Sequence, residues 1–218
     1  MNFYDKLAGT PLFQGLTNGE LMQIIGQTKF SFHKCAAEKT IRDEGEPCDS
    51  MAFLFDGTAR IISFADDHGY SVEETLLAPY IIQPERLFGL TQRYTRRFVA
   101  ATPCHIMELG KGDVMRLSDE FIIFRMNLMN VLSTASQKAE RSIWKPMPAD
   151  ARRRLTRFFK DHCTTPAGSK TIRIKMTRLA QETGLGRLAV SKELNGMEEE
   201  GLLAFSRGII SIPAVEKL

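Results

Sequence analysis

The chain has 218 residues, 43% of them hydrophobic and 25% charged, which is enough for one large domain or two ordinary ones and fits a globular protein. No apolar run approaches the roughly 20 residues that span a bilayer, and Met1–Thr10 lacks the basic segment and apolar stretch of a secretory leader, so a cytoplasmic protein with no membrane partner is expected. The net charge of +3 is unevenly placed: from Pro148 onward 13 Lys plus Arg face 8 Asp plus Glu, whereas the rest holds 16 against 18. Affinity for nucleic acid rests largely on phosphate neutralisation, so this asymmetry predicts a basic binding part attached to a near-neutral regulatory part.

In chain order, Gly9–Gly26 carries Leu12, Phe13, Leu16, Leu21, Ile24 and Ile25 at helical spacing, with Thr17 placed to cap a short helix that starts near Asn18. From Lys39 to about Leu109, short apolar runs alternate with turn chemistry at Gly45-Glu46-Pro47, Asp56-Gly57, Asp67-His68-Gly69, Gln83-Pro84 and Thr102-Pro103, which predicts antiparallel β-structure. The sharpest hairpin is expected at Asp56-Gly57, between Met51–Phe55 and Ala59–Ile62. Ser118–Lys145 contains neither Gly nor Pro and predicts one long helix. Its apolar surface is wider than one face and should pack on its own domain and on a second copy. Lys145-Pro146-Met147-Pro148 stops that helix and makes a hinge. Beyond it the pattern predicts a basic helix over Ala149–Cys163, a strand at Thr171–Ile174, helices at Arg178–Thr183 and Arg187–Glu200, and a hairpin about Ser206-Arg207-Gly208.

Two helices joined by a tight turn need a small residue where they approach, a glycine in the turn and an apolar anchor on the second helix. Ala180, Gly184 and Val190 supply these, and Leu179, Leu194 and Met197 complete the inner face. Arg187, Leu188, Ser191, Lys192 and Asn195 then point outward, as the residues of a recognition helix do. Lys175, Thr177 and Arg178 before that helix and Arg207 in the wing turn complete the expected DNA contacts, with Arg178 and Arg207 placed for phosphates. No Gly-rich phosphate loop, G-x-S-x-G or H-E-x-x-H occurs, so no enzyme is expected. Cys35, Cys48, Cys104 and Cys163 lie far apart in sequence and are expected to be reduced, mostly buried thiols. Cys104-His105 has nothing beside it to complete a metal or haem site.

Leu179–Leu185, Val190–Leu194 and Glu199–Leu203 resemble the C-terminal domain of the CRP/FNR regulators. Pro11–Leu16 and Ile41–Gly57 resemble the start and the cyclic-nucleotide-binding-type β-roll of the same family, so the resemblance covers nearly the whole chain. It implies an α+β fold: an N-terminal antiparallel β-roll (double-stranded β-helix, jelly-roll type) over 1–117, a long dimerisation helix over 118–145 and a winged helix-turn-helix over 146–218. It also implies a homodimer on a palindromic double-stranded DNA operator, with RNA polymerase as a partner. The effector pocket would involve Phe88, Gly89, Leu90, Arg96 and Arg97. Here the chain departs from the nucleotide-binding pattern: Leu87-Phe88-Gly89-Leu90 lacks the glutamate that holds the ribose, and Arg96-Arg97-Phe98 stands in place of the phosphate-holding Arg-Ser or Arg-Ala pair. Both departures argue against cyclic AMP. The clustered N-terminal cysteines of the iron–sulfur members are also missing, so neither cluster, haem nor metal is expected. Leu188 replaces the glutamate that many members direct at cytosine, which predicts a different half-site. The second reading is a ligand-sensing dimeric module that binds nucleic acid without sequence preference.

Overall fold

The computed structural model describes residues 3–143 and 146–218; Met1, Asn2, Trp144 and Lys145 lie outside the described residues, and with the last two the expected end of the long helix and start of the hinge. In chain order the elements are α1 (Phe3–Ala8), α2 (Asn18–Gln27), β1 (Ser31–Cys35), β2 (Thr40–Arg42), β3 (Ser50–Asp56), β4 (Thr58–Phe64), β5 (Tyr70–Leu77), β6 (Tyr80–Ile82), β7 (Arg96–Ala100), β8 (Cys104–Gly110), α3 (Lys111–Glu120) and α4 (Ile122–Ile143). There follow α5 (Ala151–Asp161), β9 (Lys170–Ile174), α6 (Met176–Thr183), α7 (Arg187–Glu199), β10 (Ala204–Ser206) and β11 (Ile209–Ile212). They form two compact units: Met1–Ala59 with Leu76–Ile143, and Arg60–Thr75 with Trp144–Leu218.

In the first unit, Thr17 caps α2 as its sequence position predicts, accepting from the Glu20 N–H while the Glu20 carboxylate accepts from the Thr17 N–H. An antiparallel sheet runs β1-β8-β3-β6, and every residue from Met51 to Phe55 in β3 is buried. The β2–β7 pair, with a register shift between Thr40 and Arg42, supplies further roll strands. The start of α4 is fixed to this unit by Phe124, whose ring lies 5.4 Å from that of Phe13, and by Asn127, whose amide donates to the Leu12 and Gln14 carbonyls.

Asp56-Gly57 closes no hairpin, because β3 and β4 belong to different sheets and the turn carries the chain from one to the other. Gly57 is required there twice over. Its φ is +95°, and a Cβ would sit 2.6 Å from the Pro103 carbonyl oxygen and 2.9 Å from Cys104 Sγ. The helix expected from Ser118 is instead interrupted. Ser118 lies inside α3, and Phe121 adopts extended dihedrals (φ −121°, ψ 104°) before α4 begins. Neither Gly nor Pro marks that break; it lets Phe121 and Phe124 both bury their rings, a demand of packing that periodicity does not carry.

The second unit comprises the C-terminal residues beyond the long helix together with the β4–β5 hairpin from Arg60 to Thr75, a segment placed within 1–117 in the expected division. Its antiparallel sheet runs β10-β11-β9-β5-β4, with Tyr70 opposite Ile174, Val72 opposite Ile172 and Glu74 opposite Lys170. A three-stranded wing sheet would leave the N–H and C=O groups of β9 unpaired on one edge, and β5 pairs them. Val72 joins Leu155, Phe159, Ile172, Leu179, Val190 and Met197 in one apolar core. Beside that core His162 Nδ1 donates to the Phe158 carbonyl at 2.8 Å, and Nε2 shares a 2.9 Å hydrogen bond with the Tyr70 hydroxyl.

Glu74 and Lys170 pair at 2.8 Å with side chains 0% and 1% exposed. Ions removed from water this far are tolerated only if their remaining hydrogen-bonding capacity is met. Here the Glu74 carboxylate also accepts from the Thr164 N–H (2.6 Å), the Thr165 N–H (3.0 Å) and the Thr165 hydroxyl (2.9 Å). Lys170 Nζ donates to the Thr165 hydroxyl as well. Burial pushes the Glu74 carboxyl upward, but Lys170 and the two backbone donors outweigh it, and the group ionises below its ordinary range.

A depressed carboxyl contributes stability that is present above its unfolded pKa and is lost as pH falls through the folded one. The second unit should therefore weaken below the ordinary carboxylate range, and Glu74→Leu should flatten this acid-side loss in urea titrations at a series of pH values. Lys170→Met or Glu74→Leu alone should cost about 3–5 kcal/mol by stranding the partner ion, whereas the double replacement should recover most of that loss.

Candidate nucleic-acid interface

The turn between α6 and α7 is set by Gly184, whose left-handed dihedrals (φ 62°, ψ 33°) let its N–H reach back to the end of α6, while the Leu185 N–H bonds the Ala180 carbonyl at 2.9 Å. Arg154 on α5 holds the turn from behind, donating through Nη1 to the Gly184 carbonyl (3.2 Å) and through Nε to that of Pro148 (2.6 Å). Arg152 pins the far end of α7 with two 2.5 Å bonds to the Glu200 carboxylate, which ionises below its usual range for that reason. Neither arginine stands out in the sequence, since Glu200 and Gly184 are distant in the chain and no local pattern links them to α5.

With Val190, Leu194 and Met197 buried, α7 turns Arg187, Leu188, Lys192 and Asn195 to solvent, Ser191 being half-buried. Leu188 is 88% exposed, an apolar side chain on the open face of an otherwise polar helix start. Lys175 and Thr177 are exposed at the start of α6. Arg207 forms the tip of the β10–β11 hairpin with a left-handed φ of +46°, so the expected wing is present. Arg178 differs from the other basic residues. Its guanidinium lies 3.0 Å from Asp67 on the β4–β5 turn and 2.8 Å from Glu182, with the Tyr70 ring 5.8 Å away. The Gly69 N–H, and more weakly Arg178, hold the Asp67 carboxyl below its ordinary range against slight desolvation. Sequence reading places Arg178 free for phosphate; here it is shared by two carboxylates.

The residues expected at an effector pocket are less gathered. Gly89 and Leu90 lie on an exposed loop, Leu90 wholly so, and Phe88 has Lys111 Nζ over its ring at 4.9 Å. Arg96 and Arg97 are half-buried on β7, where Arg97 Nε donates to Asp43 at 2.7 Å. Among the described residues, no three His, Cys, Asp or Glu are grouped to hold a metal ion, and no helix is long and apolar enough to cross a membrane.

No protein-family model matches the chain, and no curated protein matches it. Among solved structures it is similar to the catabolite activator protein of Thermus thermophilus, at 20% identity over 93% of each chain with a TM-score of 0.50. The chain has the catabolite activator fold. Lower likenesses are to the c-di-GMP-responsive global regulator CLP of Xanthomonas campestris (15% identity, 90% of this chain and 99% of that one, TM-score 0.47) and to DNR of Pseudomonas aeruginosa (17%, 97% and 96%, 0.45). The catabolite activator fold is the α+β architecture expected from the resemblance to CRP/FNR regulators.

Two glycines of the helix-turn-helix should respond oppositely to a methyl group. Gly184→Ala forces a Cβ into left-handed dihedrals and should cost about 1–2 kcal/mol. Gly196→Ala, in the middle of α7 with nothing within 4 Å of its Cβ position, should stabilise by about 0.5–1 kcal/mol. Denaturant midpoints of the two variants check both signs.

Proposed function

We propose that the chain is a homodimeric, sequence-specific DNA-binding transcription regulator of the CRP/FNR type, working in the cytoplasm with RNA polymerase as partner and without cyclic AMP as effector. The observation that carries this reading is the open face of α7, where Arg187, Leu188, Lys192 and Asn195 stand free of the core beside a wing tipped by Arg207. An α-helix presented this way fits the major groove, where Arg reads guanine O6 and N7, Asn reads adenine and an apolar side chain meets the thymine methyl. Lys175, Thr177 and Arg207 serve as backbone contacts that set register. Arg178 serves the same purpose once it exchanges Asp67 for a phosphate.

Dimerisation is supported by α4, which exposes Ile122 (53%), Met126 (47%) and Met129 (55%) along one stretch. Such apolar clusters mark protein–protein contact. Two copies would present two recognition helices to half-sites about one helical turn apart. The cyclic AMP exclusion is supported by Leu90, which is apolar and wholly exposed, and by Arg97, already engaged by Asp43.

Selection from random duplexes should enrich a two-fold symmetric sequence; recovery of unenriched DNA would instead favour a non-specific binder. On the selected operator, Arg187→Ala should cost about 1–3 kcal/mol and relax preference at one base pair per half-site, with far less effect on scrambled DNA. Arg207→Ala should weaken both duplexes alike and lower the salt slope by about one per half-site. Equal weakening of both duplexes by Arg187→Ala would contradict the placement of the recognition helix.

A further inference from the structure

Cys35 and Cys104 are 69 positions apart in sequence, yet they are direct cross-strand partners that close the last step of the β1–β8 ladder. Residues directly opposite in an antiparallel pair project to the same face, with Cβ atoms about 4.5–5.5 Å apart. A disulfide needs about 3.5–4.5 Å. The difference is within reach at the end of a ladder, where Cys35 leads into the Ala36–Lys39 turn and Cys104 follows Pro103. Both thiols are free. Cys35 is half-exposed, its Sγ directed at the Lys39 and Thr40 carbonyls at 3.6 and 4.0 Å, while Cys104 is 1% exposed and donates to the Thr58 and Thr102 carbonyls, each at 3.2 Å.

We propose that Cys35 and Cys104 form a dithiol site that hydroperoxides oxidise to an intramolecular cross-strand disulfide. The half-exposed Cys35, as its thiolate, attacks the peroxide, whose O–O bond breaks to leave a Cys35 sulfenic acid and, once protonated, one water. The Cys104 sulfur then attacks Cys35 Sγ; the S–S bond forms, and the hydroxyl departs as a second water with the Cys104 proton. Two thiols lose two electrons and two protons, and one hydrogen peroxide becomes two waters. The order follows from accessibility, and it agrees with a Cys104 thiol that burial, and then the neighbouring Cys35, push above its ordinary range. A cross-strand disulfide that pulls on its ladder is strained and therefore readily reduced, which suits a reversible site. Its formation also removes the Cys104 S–H bond to the Thr58 carbonyl, which keeps the Ala101 and Thr102 N–H groups as donors, so the surrounding turn tolerates the change.

The test uses the full reduced chain treated with hydrogen peroxide, followed by alkylation under denaturing conditions and peptide mapping without reductant. The expected result is parallel loss of free thiol at Cys35 and Cys104, with one linked peptide lacking two hydrogens that dithiothreitol restores. In Cys104→Ser, Cys35 should be trapped as a sulfenic or sulfinic acid; in Cys35→Ser, Cys104 should stay reduced at the same peroxide concentration. Accumulation of Cys35 sulfinic acid in the unmodified chain while Cys104 remains alkylatable would overturn the proposal. So would linkage of either cysteine mainly to a second molecule.

Discussion

The ion pair between Glu74 and Lys170 is the constraint on which the second unit depends. Neither ion has water to fall back on, so the carboxylate must find all its donors within the protein. It finds them in Lys170 and in the loop after α5, at Thr164 and Thr165. That requirement fixes the register of β5 on β9, because sliding by one residue would turn Glu74 to the opposite face and strand Lys170. With the register set, Val72 enters the apolar core and Tyr70 reaches His162. The β4–β5 turn then delivers Asp67 to Arg178. A hydrophobic pair at the same place would stabilise the sheet as well or better; the ionic pair adds a penalty for every other alignment.

The basic residues of this unit are divided between two tasks. Arg152 and Arg154 face inward to the helix-turn-helix and hold Glu200 and the Gly184 carbonyl, so they shape the reading surface without joining it. Arg187, Lys192 and Arg207 are left in solvent, where charge is available to a polyanion. Arg178 stands between these roles. The hairpin that completes the sheet thus also occupies one cation of the basic surface, and the acidic residues it carries reduce the positive charge expected from the C-terminal third alone.

Local chemistry made much of this legible in advance. Thr17 before Asn18, Gly184 between two amphipathic helices, and Ser206-Arg207-Gly208 each specify a turn or cap within a few residues, and each is found where the pattern predicts it. What was not legible depends on partners far along the chain. Asp56-Gly57 has the chemistry of a hairpin turn, but whether the strands it joins pair with each other is decided by β8, which takes the place beside β3. Phe121 breaks a helix for a core that assembles from α1 through α4. The membership of the 60–75 hairpin, the pairing of Cys35 with Cys104 and the capture of Arg178 by Asp67 are likewise set by register across long separations, and no spacing rule reports them.

Because β5 pairs with β9 and buries Val72 in the core of the winged helix-turn-helix, it should fold and unfold with that unit. Native-state hydrogen exchange measured residue by residue tests it most directly. The expected result is that the ladder amides of Tyr70–Thr75 and of Lys170–Ile174 open with one common free energy and one common denaturant dependence, and that both sets lose protection together in Lys170→Met. Exchange of the Tyr70–Thr75 amides in step with those of β3 and β8, while Lys170–Ile174 stay protected, would contradict it.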